Sequence, residues 1–183
     1  MGCRSESKVV DEMRRIMRDN SNLNNEQMSE KIYNFLTDKY SDRNWLVFVY
    51  DAIGGFDKHC MSHKFHTVFR EANKNAAAYS SEKTKSLDAS TKEVLNSNLK
   101  KVAGGIKKET HGSPFVPGIS FNVPYAANRA FDIMNENGIS VDVAIVKRYV
   151  DLKIIASADH FMELTNEFTI IALPVRHLHY YFN

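Results

Sequence analysis

Three histidines in the first half of the chain have a spacing that could support chemistry. His59, His63 and His66 stand four and three residues apart, so on a helix their rings would share one side, called here the histidine face. Imidazoles four residues apart commonly bind zinc, copper or nickel. Three hypotheses stay open: a divalent-metal site, a solvated polar face with no ligand, and, between them, a row of histidines that responds to pH. We favour the solvated face, because Arg70 beside it disfavours a bound cation and zinc sites usually enforce their ligand geometry.

Other side chains that could act as nucleophiles or bases occur in less favourable contexts. The loop around Ser113 and Ser120 lacks the second glycine of a nucleophile elbow, and Cys60 reads as an ordinary thiol beside a histidine. The adjacent Asp159 and His160 do not define a triad, since a triad is recognised by its geometry. The sequence therefore favours a non-enzymatic protein. The alternative is a small metal-dependent or hydrolytic enzyme that uses the histidine face or this serine loop.

The N-terminus contains two candidate acyl acceptors, Gly2 for myristoylation and Cys3 for palmitoylation. The acceptor pattern requires Ser or Thr at the sixth position, where this chain has Glu6. A single acyl chain also anchors a protein only marginally without a second signal. We therefore expect contact with a membrane only if the N-terminus is acylated.

Composition and charge narrow the class of protein. The 183 residues are enough for one domain with a core, and 43% hydrophobic and 25% charged residues are ordinary for a globular protein. The 24 basic and 22 acidic residues nearly cancel, which argues against a nucleic-acid partner. Charged residues interrupt any apolar leader, and two cysteines make no disulfide framework. We therefore expect a cytoplasmic protein without a cofactor, unless the histidine face binds a divalent metal.

The first third has the clearest periodicity. Helical spacing predicts a helix at about 8–19, then a second helix that Asn24 or Asn25 caps and that ends near Tyr40. The run from Trp45 to Tyr50 lacks alternation, which predicts a strand buried on both faces and ended by the glycines at 54–55. Helical spacing then returns at about 58–77 and would carry the histidine face.

The residue pattern in the rest of the chain predicts a mixture of helices and strands. The predicted segments are an exposed loop at 79–86, a helix from the capping box Ser90–Glu93 to Gly104-Gly105, irregular chain at 107–124, a helix at 126–135, a short helix at 159–164 and a strand at 168–175. Residues 140–155 fit either one or two strands or a helix. We predict an α+β fold with helices on a small mixed or antiparallel sheet. It would form a single domain over 8–183 after a flexible N-terminus at 1–7, with a subdomain boundary near 107–124.

The segment from residue 8 to residue 60 also has a recognisable order: helix, polar turn, helix ending in Lys-Tyr, then a tryptophan that starts a strand, then glycine. The residues that carry this order are Ile32, Phe35, Lys39-Tyr40, Trp45, Val49 and Gly55. This segment, about fifty residues long, resembles the dynein light chain family. The family continues into further strands soon after the glycine, whereas this sequence predicts the helix with the histidine face. The strand that binds peptides in that family has no match here.

The resemblance implies a module that dimerises through sheet edges and captures extended peptides by strand addition. Together with the missing catalytic motif and the balanced charge, it leads to one functional hypothesis. We expect a non-enzymatic interaction module that binds a protein or peptide and self-associates as a homo-oligomer.

Overall fold

A computed structural model describes residues 6–52, 65–83, 87–111, 132, 136, 141–147, 150–164 and 168–174. Within these ranges the chain forms three helices and seven strands. In chain order they are α1 (Ser7–Asp19), α2 (Asn25–Lys39), β1 (Arg43–Asp51), β2 (Phe65–Glu71), β3 (Lys74–Glu82), α3 (Ala89–His111), β4 (Val141–Lys147), β5 (Lys153–Ala156), β6 (Phe161–Leu164) and β7 (Phe168–Pro174). All the described strand pairs are antiparallel, which confirms the predicted α+β class.

The chain divides into two compact units. Unit 1 comprises Met1–Phe56, Ser62–Lys85 and Tyr149–Ala158, and unit 2 comprises Asp57–Met61, Ser86–Arg148 and Asp159–Asn183. Each unit therefore draws on segments that are distant in sequence. The predicted subdomain boundary near 107–124 falls mostly outside the described residues and stays a prediction.

Unit 1 is a four-stranded sheet with the order β2-β3-β1-β5, packed against α1 and α2. The helices supply a regular apolar face, as their spacing predicts. The buried helical residues of this core are Val9, Met13, Ile16, Met17, Met28, Ile32 and Leu36. Helix α1 begins one residue before its predicted start. The ends of α2 match the prediction, because Asn24 forms a capping box with Gln27 and Tyr40 is the C-terminal cap.

Strand β1 is buried on both faces, as its lack of alternation predicts. Trp45, Val47 and Val49 belong to the core shared with the two helices. On the opposite face Phe48 contacts the rings of Tyr50 and Phe65, with ring centroids 6.1 Å apart in both pairs. The tryptophan strand is therefore the central element of unit 1.

The helix predicted at about 58–77 is wrong wherever the structure describes it, because Phe65–Glu71 and Lys74–Glu82 are strands. The register of β2 on β3 shifts between Val68 and Glu71, which is a β-bulge. An irregular strand of this kind spaces its apolar residues unevenly and so imitates helical spacing. Residues 53–64, with His59, His63 and the glycines at 54–55, lie outside the described residues.

The exposed loop predicted at 79–86 is also wrong over 79–82, where the chain continues β3. This segment is polar in sequence, yet Tyr79 at its start is buried, together with Ala76, Ala77 and Ala78 just before it. Alanine gives little strand signal by itself, since its preference for a strand depends on the large side chains beside it. Here Tyr79 contacts the ring of Phe65 at 5.2 Å.

Unit 2 contains a three-stranded sheet with the order β4-β7-β6 and helix α3, which packs against β6. Leu95, Leu99, Val102 and Ala103 are buried on α3, as predicted. Two predictions about the ends of α3 are wrong. The carboxylate of Asp88 accepts from the Thr91 N–H at 2.8 Å in place of a cap by the predicted serine, and the helix continues past the glycines to His111.

Three further segments of the second half can be compared with their predictions. The alternatives for 140–155 resolve to strands, β4 and β5. The short helix predicted at 159–164 is wrong, because 161–164 pairs with β7 as strand β6. The last strand is confirmed as β7. The helix predicted at 126–135 is described only at Asp132, which is helical.

None of the helices in the described ranges combines the length and the apolar character that crossing a membrane would need.

Candidate functional site

His66 lies on β2 in unit 1 and not on a helix. Its side chain is 2% exposed. The register pairs it with Ala78, and its ring centroid is 5.8 Å from that of Trp45, on the side of the sheet that faces the two helices. The ring therefore belongs to a packed interior and not to the polar helix face that the spacing predicts.

Both ring nitrogens of His66 face oxygen atoms. Nδ1 lies 3.0 Å from the carbonyl oxygen of Ala78, and Nε2 lies 3.1 Å from Oε2 of Glu6. A carbonyl oxygen only accepts, so Nδ1 carries a proton and donates to Ala78. The ring is thus already engaged from two sides.

The structure does not bring a set of metal ligands together in the part of the chain that it describes. No group of three or more His, Cys, Asp or Glu side chains there is arranged to hold a metal ion. His59 and His63 lie outside the described residues, so the metal hypothesis for the histidine face stays a prediction for those two. His66 itself takes part in a hydrogen-bonded network with Ala78 and Glu6.

Glu6 is the centre of that network. Its carboxylate receives two hydrogen bonds from Arg43, at 2.5 Å from Nη1 and 2.9 Å from Nη2. The hydrogen bond from Arg43 holds the pKa of Glu6 below its ordinary value, against a smaller opposing effect of burial, and His66 adds to the lowering. The same pairing raises the pKa of Arg43. Both side chains therefore stay charged across the physiological range.

Aromatic rings hold the guanidinium of Arg43 in place. Its central carbon lies 5.1 Å from the ring centroid of Tyr40 and 5.7 Å from that of Trp45. These are cation–π distances. The indole N–H of Trp45 donates to the carbonyl oxygen of Tyr40 at 3.2 Å, which ties the end of α2 to the start of β1. Arg43 thus reaches Glu6 from a fixed platform.

A second carboxylate continues the cluster along α1. Glu12 accepts a hydrogen bond from Tyr40 at 3.0 Å and pairs with Lys39. Burial raises the pKa of the Tyr40 hydroxyl, and the hydrogen bond to Glu12 raises it further. The cluster of Glu6, Glu12, Tyr40, Arg43 and His66 is called the charged cluster below.

A separate polar cluster lies at the start of α2. Asn25 is 2% exposed, and its amide nitrogen donates to Asp51 Oδ1 and to the carbonyl oxygen of Asp151, both at 2.8 Å. Its amide oxygen accepts from Lys74 Nζ at 2.6 Å. The side chain connects α2 to the end of β1, the start of β3 and the residues before β5. It acts as a structural crosslink between four segments.

Strand β2 forms one edge of the unit 1 sheet among the described strands, and β5 forms the other. The ladder from Phe65 to Val68 is regular. Beyond it, Arg70 has a positive φ of 56°, and the turn residues Ala72 and Asn73 have φ of 54° and 60°. Positive φ at both turn residues is what a two-residue hairpin turn requires.

The remaining candidate residues are not assembled into a site by the structure. Asp159 does not serve a triad here, since its carboxylate accepts from the Leu87 N–H at 3.0 Å and pairs with Lys92 at 3.6 Å. The other candidates, namely Gly2, Cys3, Cys60, Ser113 and Ser120, lie outside the described residues.

Sequence reasoning missed most of the charged cluster. Glu6 and His66 are 60 residues apart, and no local pattern links them. One signal was present, because Arg43 lies two residues before the tryptophan that starts the strand, and Arg stacks readily on aromatic rings.

Comparison with known proteins gives no assignment: the chain matches no protein-family model, no curated protein and no solved structure.

Proposed function

We propose that this protein is a non-enzymatic interaction module that binds extended segments of protein by strand addition at β2 and self-associates. The observation that carries the proposal is the position of β2, which pairs with β3 on one side and is an edge among the described strands. An edge strand presents unpaired N–H and C=O groups to which another chain can bind. Strand addition uses these backbone groups for affinity and alternate side chains for selectivity.

Strand β2 suits this role better than the opposite edge. It has seven residues, whereas β5 has four. The regular ladder over Phe65–Val68 offers a straight segment, and the bulge that follows marks where an added strand would stop. The binding edge is therefore the first half of β2.

The side chains of β2 indicate which peptides would fit. His66 and Val68 are buried toward the helices, whereas Thr67 is half-buried on the other face. A β-branched threonine favours apolar or β-branched neighbours across a strand pair. We expect the ligand to be an extended peptide with apolar side chains at alternate positions and no strong net charge.

The resemblance to the dynein light chain family supports the same proposal. That family continues into strands after its glycine, and β2 and β3 follow β1 here. The resemblance also implies dimerisation through a sheet edge, and we propose self-association of this chain on that ground.

Selection of peptides from a random displayed library tests the binding proposal. We expect enrichment of peptides with alternating apolar residues, and Thr67→Lys should weaken their binding at least ~10-fold, since a lysine on an edge strand opposes pairing. The matched control is Ile154→Lys on β5, which should bind normally. Circular dichroism and thermal unfolding establish that both variants fold.

Two results would contradict this proposal. Equal binding by wild type and Thr67→Lys would exclude β2 as the edge, and a loss confined to Ile154→Lys would move the site to β5. Sedimentation velocity tests self-association separately. A strict monomer at concentrations well above micromolar would contradict the proposed self-association.

A further inference from the structure

The contacts of His66 are complete only when its ring carries both protons. Nδ1 donates to the carbonyl oxygen of Ala78, and Nε2 faces an oxygen of Glu6. Arg43 keeps that carboxylate ionised, so Oε2 accepts and does not donate. An imidazolium donates from both nitrogens, whereas a neutral ring that keeps its Nδ1 proton presents a lone pair to a negative oxygen.

We propose that Glu6, Arg43 and His66 form a pH-sensitive latch that fastens the start of α1 to β2 while His66 is an imidazolium. Glu6 is the residue before α1, and its carbonyl oxygen accepts from the Val10 N–H at 3.1 Å. Its side chain caps none of the helix N–H groups and reaches the two strands instead. Whatever releases Glu6 therefore loosens the first turn of α1.

The charged groups around the ring determine how the latch responds. At the start of α1, Oε2 of Glu6 lies 3.1 Å from Nε2 of the ring. On β1, Arg43 binds the same carboxylate and so acts on the ring through Glu6. From the end of α2 comes Tyr40, whose hydroxyl donates to Glu12. From β3 the ring meets only the Ala78 carbonyl oxygen among its described contacts.

The charges on β2 itself are engaged elsewhere. Glu71, on the same strand, pairs with Arg18 at 3.1 Å and with Arg14 at 4.0 Å on α1. An imidazole is the kind of side chain whose charge ordinarily changes between about pH 5 and pH 8, unlike a carboxylate or a guanidinium group. Glu6 and Arg43 keep their charges through that window, so the second ring proton decides whether the latch is closed.

The expected direction follows from these contacts. Below the window the imidazolium donates to Glu6, and the carboxylate links His66 and Arg43. Above it the lone pair on Nε2 repels Oε2, and Glu6, whose side chain is 49% exposed, can turn toward solvent with Arg43 as its remaining partner. The first turn of α1 then opens more often, while the remaining turns stay packed on the core.

Amide hydrogen exchange, corrected for the intrinsic effect of pH, tests the latch. The Val10 amide reports on it, and the Met28 amide, which donates to Asn24 at the equivalent position of α2, is the matched internal control. From about pH 5.5 to about pH 8 we expect protection at Val10 to fall about tenfold relative to Met28. In His66→Gln the ratio should not change with pH.

The latch is overturned if Val10 and Met28 change in parallel in the wild type, or if His66→Gln keeps the wild-type profile. If His66→Gln fails to fold, Glu6→Gln tests the latch in the same way. Its neutral amide can donate or accept, so the pH dependence should disappear, and persistence of the dependence would overturn the latch. Neither outcome depends on whether β2 binds peptides.

Discussion

Nε2 of His66 lies 3.1 Å from Oε2 of Glu6, and Arg43 binds the same carboxylate with both of its terminal nitrogens. This shared carboxylate joins the residue before α1 to the starts of β1 and β2. The contact depends on residues from three separate parts of the sequence. It therefore forms only once the helices are packed on the sheet.

The ionised form of Glu6 should stabilise the protein toward neutral pH. Arg43 lowers the pKa of Glu6 from its ordinary value of 4.5, so the folded state binds this proton more weakly than the unfolded state. The contribution is present above pH 4.5 and is lost as the pH falls through the lowered pKa. Urea unfolding between pH 2 and pH 6 should show a shallower acid decline for Glu6→Gln. Asp11→Asn, at a carboxylate that is 74% exposed on α1, is the control variant.

Replacing Ala72 with glycine should stabilise the protein. Ala72 has a φ of 54°, a left-handed conformation that costs an alanine about 1–2 kcal/mol and that glycine adopts freely. We expect Ala72→Gly to raise the free energy of unfolding by about 0.5–1 kcal/mol in urea, despite the greater freedom of glycine in the unfolded chain. Ala76→Gly, in the buried part of β3, is the control and should destabilise the protein. A loss of stability in Ala72→Gly would contradict the strain argument.

Asn25 should matter more to stability than the neighbouring cap residue Asn24. Asn25→Ala removes a buried amide and leaves Asp51 and Lys74 without this partner, at a cost of about 1–3 kcal/mol. Asn24→Ala removes one capping bond, at about 1 kcal/mol. The isosteric Asn25→Asp should also destabilise, because it places a carboxylate against Asp51 and Asp151. Chemical unfolding of the three variants ranks these effects, and a larger loss in Asn24→Ala would contradict the crosslink.

Tyr40 should ionise at higher pH than a free tyrosine. Burial raises its pKa from 10.0, and its hydrogen bond to Glu12 raises it further. A raised pKa contributes stability that is present below pH 10.0 and is lost as the pH rises through the folded value. The absorbance difference between wild type and Tyr40→Phe during alkaline titration isolates this hydroxyl. Glu12→Gln should move that transition to lower pH, and an unchanged transition would show that Glu12 has no influence.

The sequence predictions were accurate where the signal for an element lies within one short segment of the chain. Helices α1 and α2 were predictable because their apolar spacing and the Asn24 cap lie within one continuous segment. Strand β1 was predictable because an unalternated apolar run already indicates two buried faces. For α3 the buried face was predictable, but its ends were not, since Asp88 competes for the cap and Gly104 lies within the helix.

The hairpin of β2 and β3 could not be predicted from local spacing. The bulge after Val68 breaks the period of two, and the turn at Ala72 and Asn73 lacks the usual glycine. The alanines of β3 indicate a strand only through their pairing with Val47, Phe48 and Val49 of β1. The same error placed His66 on a helix face with His59 and His63, although the structure buries it on β2.

The sequence by itself determined the class of the fold, the first two helices and the buried tryptophan strand, because these depend on periodicity and caps within short windows. Only the tertiary structure decided that His66 faces Glu6 and that Asn25 joins Asp51, Lys74 and Asp151. Hydrogen bonds and ion pairs between distant residues depend on how the helices and strands pack. The local pattern of residues along the chain does not determine that packing. The candidate functions of this protein rest on those tertiary contacts and on the edge strand that the packing creates.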